Sequence, residues 1–213
     1  METILTYVVL GAVGIRLVSA ARLAVSGAGR VTVRKVFGRL RWRHLWPIPI
    51  VLGAVASLAS LLWEVPGLSW GWWTAIGGEG NPVTGTTDHT TGTVWEWVIP
   101  LVFLLLVAPA LPLFALAEER MFRRGAQDWT PARRLGKVVA FGLIHAVIGI
   151  PIAVALALSL GGVYFMSVYL RWYRLTADQQ DAVLESTVAH TAYNAVIFSV
   201  ALVVIVLSAA GAL

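Results

Sequence analysis

The chain has 213 residues, of which 58% are hydrophobic and only 13% charged, with a mean hydropathy of +0.79. A soluble domain of this length cannot bury so much apolar side chain, so lipid must form part of its solvent. The absence of cysteine excludes disulfides, thiolate metal sites and cysteine nucleophiles, and the net charge of +5 is distributed in a way that argues against nucleic-acid binding.

In chain order, apolar runs and their boundaries predict helices at about 3 to 24, 47 to 63, 95 to 122, 132 to 149, 151 to 172 and 177 to 208. The expected fold is all-α, a polytopic transmembrane bundle of about six helices. Arg16 interrupts the first helix and is expected to face other helices or to snorkel; with Glu2 at its start, that helix does not read as a cleaved signal peptide. Thr130 before Pro131 is a cap with proline at the first helical position, and Thr176 with Gln179 has capping-box spacing. Residues 136 to 172 could form one long tilted helix or a hairpin broken at Gly149 and Pro151.

The charge distribution favours the hairpin. Seven basic residues lie between Arg22 and Arg43 with no acid among them, six more between Arg120 and Lys137, and Arg171 and Arg174 close a third cluster. The segment from Glu64 to Glu96 holds four acids and no Lys or Arg. The positive-inside rule then puts the basic loops in the cytoplasm and the Gly/Thr-rich loop and both chain ends outside, in a multi-pass cell-membrane protein. Arg171 and Arg174 join the other basic clusters only if the chain crosses twice between 132 and 172. Trp42, Trp46, Trp129 and Trp172 fall near the basic side, and Trp63, Trp70, Trp72, Trp73, Trp95 and Trp97 near the acidic loop, as two aromatic belts would. The organisation expected is an N-terminal part, 1–94, with its basic and acidic loops, followed by a core at 95–213.

Ionisable groups inside apolar helices are costly and tend to mark function. Three places qualify: Glu118 and Glu119 with Arg123, His145 in the run Phe141-Gly-Leu-Ile-His145, and His190 with Asn194. In the hairpin topology all three fall in the cytoplasmic half of the membrane and can converge on one pocket. Each also has a plain reading, as a solvated helix end, a packing histidine, or a His/Asn pair knitting two helices. His44 and His89, beside Asp88, are expected at ordinary surface positions.

The ordered set Glu118-Glu119-x-x-x-Arg123, Phe141-x-x-x-His145 and His190-x-x-x-Asn194, each on its own membrane helix, resembles the CPBP family, the CAAX proteases and bacteriocin-processing enzymes also grouped under the Abi name. The resemblance covers residues 110 to 208 and implies an intramembrane endopeptidase with a catalytic core at 95–213. Its substrate would be a peptide or protein, with or without a lipid modification, with no nucleic acid as partner.

Peptide hydrolysis needs a base to activate water and donors for the oxyanion. Glu118 is assigned as general base, His145 as the group that positions the water, and His190 and Asn194, one turn apart on a common face, as oxyanion donors. Glu119, four residues before Arg123, is expected to form an intrahelical ion pair with a structural role, and Phe141 to pack beside His145. No metal is taken as obligatory; the alternative is Zn²⁺ held by Glu118, His145 and His190. The sequence lacks His-Glu-x-x-His and Gly-x-Ser-x-Gly, and no Asp falls in a predicted span, so zinc, serine and aspartyl intramembrane proteases fit less well. The competing functions are a non-catalytic immunity or scaffold protein of the same family and a small transporter using the buried Glu and His as a proton relay.

Overall fold

A computed structural model describes residues 2–73 and 90–210. The expectations for Asp88 and His89, and the acid at Glu79, lie outside the described residues. The described chain is helical without strands: α1 Glu2–Val25, α2 Gly27–Gly38, α3 Trp42–Leu45, α4 Ile48–Trp63, α5 Trp95–Val107, α6 Leu111–Phe122, α7 Pro131–Ile144, α8 Ile152–Ala157, α9 Ser159–Thr176 and α10 Gln179–Ala209. Four stretches are long and apolar enough to cross a bilayer, Trp42–Trp63, Trp95–Asp128, Ile152–Thr176 and Gln179–Ala209, and the bent pair α1/α2 brings the number to as many as five. The chain is an all-α membrane protein.

The helix boundaries have local causes. Thr130 Oγ1 accepts a hydrogen bond from the Arg133 backbone N–H at 3.3 Å, the expected cap, with Pro131 starting α7. At α10 the expected capping box does not form. The cap is Asp178, whose Oδ1 accepts from the N–H groups of Gln180 (2.7 Å) and Asp181 (3.1 Å), while Thr176 Oγ1 accepts only from Asp178 N–H. A carboxylate at this position also complements the positive helix end, so it outcompetes the hydroxyl two residues earlier.

The run 136–172 is broken where expected, into α7 and the stretch α8/α9, but only the second arm, Ile152–Thr176, is long and apolar enough to cross a bilayer, so the double crossing expected from the basic clusters is not shown. α7 is followed by a 3₁₀ turn, His145–Ile148, and Gly149 takes a left-handed conformation (φ 92°) before Pro151. α7 packs against α8 and α9. With 14 residues α7 extends about 21 Å at the α-helical rise, less than the hydrocarbon thickness, and it carries Arg133, Arg134 and Lys137. It is not among the helices long and apolar enough to span. Arg16, expected to face other helices or snorkel, is exposed on α1.

Two helices were not expected, α2 and the single turn α3, which leads into the candidate span Trp42–Trp63. Residues 27–38 form α2, at 74° to the preceding helix. Its end is held in place by packing: Val36 and, just beyond the helix, the partly buried Leu40 pack on Leu184 and Val188 of α10.

The described chain divides into two compact units. In the first, Met1–Arg34 with Trp73–Leu113 and Asn194–Leu213, α1 packs on α5 and on the 3₁₀ turn Ala108–Ala110, and Phe103 meets Phe198 edge-on at 6.4 Å. The second, Lys35–Trp72 with Phe114–Tyr193, holds α4, α6, α7, α8, α9 and the first half of α10. There the loop after α6 is tied down by Tyr169, which accepts from Gly125 N–H (3.2 Å) and donates to Gln127 Oε1 (2.6 Å). Ile152 and Ala153 N–H donate to Trp70 and Leu68 carbonyls at 3.1 and 2.7 Å, anchoring the start of α8.

The α7/α8/α9 contact depends on glycine. A Cβ at Gly142 would run into the Ala155 carbonyl oxygen and Ser159 Oγ, and would sit 2.8 Å from the Ser159 backbone nitrogen. Two of these are backbone atoms and cannot swing away. Gly142→Ala is therefore expected to destabilise the protein by about 1–3 kcal/mol or more through overpacking. Gly136→Ala, on the same helix with open space around it, is expected to stabilise slightly, by up to about 1 kcal/mol. Melting temperatures of the two variants in one detergent check this; equal shifts would contradict the packing described.

Candidate functional site

The second unit gathers most of the polar residues singled out in the sequence. Glu118 and Glu119 end the apolar part of α6, Arg123 follows one turn later, Phe141 and His145 close α7, and His190 lies in the buried half of α10. Because Glu118 and Glu119 are consecutive on a helix, they point about 100° apart, and the two carboxylates meet different surroundings. Glu119 is fully buried; Glu118 retains 29% side-chain exposure.

Glu119 is the hub. Its Oε1 accepts from Arg123 Nη1 at 3.0 Å, the expected i,i+4 ion pair, and lies 2.9 Å from His190 Nδ1. Its Oε2 is in hydrogen-bond contact with Ser186 Oγ, which also lies 3.0 Å from the Phe165 carbonyl oxygen. A hydroxyl has one proton, so Ser186 donates to one of these at a time. Arg123 is itself fully buried, its guanidinium 4.1 Å from the centre of the Phe141 ring, and an added Cβ at Gly162 would stand 3.5 Å from Arg123 Nη2 and 3.0 Å from Phe141 Cδ1. The close approach of α9 at Gly162 thus leaves room for the arginine.

His190 is held on every side. Its ring stacks on Phe165 (centroids 4.3 Å apart, planes 20°) and meets Phe141 edge-on at 5.5 Å. An ionised carboxylate only accepts, so the contact with Glu119 puts a proton on Nδ1 and turns Nε2 toward Glu118. Nε2 lies 3.8 Å from Glu118 Oε2, beyond direct hydrogen-bond length. That Oε2 atom is buried and has no hydrogen-bond partner among the described residues. Glu118 therefore carries an unengaged carboxylate oxygen beside an imidazole whose orientation is fixed from behind.

His145 is placed differently. Its Nδ1 is 2.9 Å from the Phe141 backbone carbonyl oxygen, which can only accept, so Nδ1 is protonated and Nε2 is the free acceptor in the neutral ring. Phe141 packs edge-on against it at 5.2 Å, as expected. No hydrogen bond or ion pair among the described residues joins His145 to Glu118. Asn194 is one turn beyond His190 along α10, half-buried, and belongs to the stretch that clusters with the first unit. Among the described residues no three His, Asp or Glu side chains are grouped as a metal site would require, so Glu118, His145 and His190 do not fit the zinc set considered from sequence.

His44, expected at the surface, is buried (2% exposed). The Arg41 backbone N–H donates to its Nδ1 at 3.0 Å, which leaves the proton on Nε2 to be donated to Glu185 Oε1 at 2.8 Å. Arg43 Nη2 also donates to Glu185 Oε1 (2.8 Å) while its guanidinium covers Trp172, and Arg39 pairs with Asp181 at 2.7 Å. Thus α10 carries two polar clusters on different faces: Asp181 and Glu185 toward residues 39–44, Ser186 and His190 toward α6. The spacing of a basic stretch to a helix some 140 positions later leaves no sequence signal for the His44–Glu185 pair. Ser186 had one, since it lies four residues before His190 on the same helical face. Phe165 had none.

Comparison with models of known protein families, with curated proteins and with solved structures finds no match to this chain.

Proposed function

We propose that the protein is an intramembrane endopeptidase of the CPBP type, hydrolysing a peptide or protein substrate near the cytoplasmic face of the cell membrane. The observation that carries this reading is the buried, unpartnered Glu118 Oε2 lying 3.8 Å from His190 Nε2, with the opposite side of that imidazole bound to the Glu119–Arg123 pair. That arrangement leaves one carboxylate oxygen available to a water molecule beside an imidazole whose orientation is fixed by its bonded and stacked neighbours.

In the proposed reaction Glu118 removes a proton from water as the water oxygen bonds to the scissile carbonyl carbon. The carbonyl oxygen becomes the oxyanion, for which His190 Nε2, when it carries a proton, is the donor. Collapse of the tetrahedral intermediate breaks the C–N bond, and the proton held by Glu118 passes to the leaving amine. Glu119 is a positioning residue: it orients His190 and balances Arg123. His145, with Nε2 as its free acceptor, is suited to orient the water.

Comparative proteomics of peptide termini, in cells carrying wild type or Glu118→Ala, tests activity and identifies the substrate together. New N- or C-termini that need Glu118 are expected. Identical terminal profiles from equally expressed proteins would leave the non-catalytic scaffold as the better reading.

A further inference from the structure

The basic segment from Arg22 to Arg43 has no role in the hydrolytic reading, yet the structure gives it a defined form. α2 is bent by 74° from the helix before it, so it does not continue that helix as a straight span. With Arg30, Arg34 and Lys35 in 12 residues and no acid, its charged face is costly to place in hydrocarbon. One face is committed: Val36 is buried and packs with Leu40 on Leu184 and Val188 of α10. The opposite face is open, and it is both cationic and apolar. The side chains of Arg30, Arg34 and Lys35 are exposed and make no hydrogen bond or close ion pair among the described residues, with Lys35 only within electrostatic reach of Asp181, and beside them stand Val31 (66% exposed) and Phe37 (49%). Trp42 on α3 is 73% exposed.

Neither water nor hydrocarbon suits such a face, but the headgroup boundary suits both halves of it: phosphates meet the cations while Val31 and Phe37 enter the acyl edge. Arg39–Asp181, His44–Glu185 and Arg43–Glu185 engage three of the following side chains with α10, and Lys35 lies within electrostatic reach of Asp181, whereas Arg30 and Arg34 have no such partner among the described residues. We propose that the outward face of α2 is a docking surface for anionic phospholipid headgroups at the membrane surface that α2 borders. The partner is identified by charge complementarity together with the interleaved apolar side chains, a combination a soluble anion does not need.

The test uses the full chain, purified in a neutral detergent and offered equal amounts of phosphatidylglycerol and phosphatidylcholine, with bound lipid counted by native mass spectrometry. The wild type is expected to retain phosphatidylglycerol in preference. The triple variant Arg30→Gln, Arg34→Gln, Lys35→Gln is expected to lose at least about tenfold of that preference, since each cation near an anionic surface contributes about fivefold. A control triple, Arg16→Gln, Arg120→Gln, Arg171→Gln, removes the same charge from exposed positions elsewhere and is expected to keep most of it. Equal losses in the two variants, or no preference in the wild type, would overturn the proposal. So would displacement of the lipid by an equimolar soluble polyanion such as polyglutamate, which would make the face an acidic-polymer site, or by inorganic phosphate, which would make it a simple anion site. The melting temperature of each variant, measured alongside, separates lost binding from lost fold.

Discussion

Replacing Arg123 by methionine is expected to destabilise the protein by about 3–5 kcal/mol, the cost of leaving a buried charge without its partner. Both members of the Glu119–Arg123 pair are fully buried, and their 3.0 Å contact is the only ion pair Arg123 makes among the described residues. Without the guanidinium, Glu119 keeps only Ser186 and the His190 ring to balance a charge removed from solvent. Arg123→Met also strips the cation from the face of Phe141, so the ring that flanks both His145 and His190 loses a packing partner. The double variant Glu119→Leu, Arg123→Met is expected to recover part of the loss, because two apolar groups require no compensation whereas one stranded carboxylate does. Unfolding midpoints of the wild type, both single variants and the double variant in one detergent form the cycle. A single Arg123→Met variant as stable as wild type, or strict additivity in the cycle, would mean that the pair is not buried as described.

The second large effect separates chemistry from stability at the neighbouring carboxylate. Glu118→Gln is expected to lower the rate of peptide hydrolysis by about 10²- to 10⁴-fold, the usual contribution of a general base. Its effect on unfolding is expected to be within about 0.5 kcal/mol, as for substitutions that remove no packing or bonded partner. Glu118 Oε2 has no hydrogen bond to lose, and the glutamine keeps the shape of the side chain. The assay takes a substrate peptide identified from the terminal proteomics and compares initial rates at equal protein. Retained activity would remove Glu118 from the reaction, whereas a lost fold would show the carboxylate to be a structural partner. Adjacent residues on one helix are thus expected to respond in opposite ways, Glu118 in rate and Glu119 with Arg123 in stability, because one side chain is partly open and the other fully enclosed.

Much of the fold was legible because lipid imposes a simple rule. Backbone groups in hydrocarbon must be satisfied within their own helix, so long apolar runs such as those in Trp95–Asp128 and Gln179–Ala209 could be read directly as helices. The Glu119–Arg123 pair, the Thr130 cap and the edge-on contact of Phe141 with His145 were legible for a related reason: each joins residues three or four apart, and helical geometry alone brings them together. The helix α2 was not, since its composition is that of a basic loop and its inward residues become a reason to fold only when Leu184 and Val188 are there to receive them.

The same division runs through the candidate site. The sequence alone determined which residue types sit inside apolar helices and which neighbours they have one turn away. It could not assign partners across helices: that His190 faces Glu119 with one nitrogen and Glu118 with the other, that Ser186 and Phe165 complete its surroundings, and that His44 is buried against Glu185. Those contacts join residues from 25 to 141 positions apart. They follow from the rotation of each helix about its axis, which is set by the packing of every side chain along the interface and not by any local pattern.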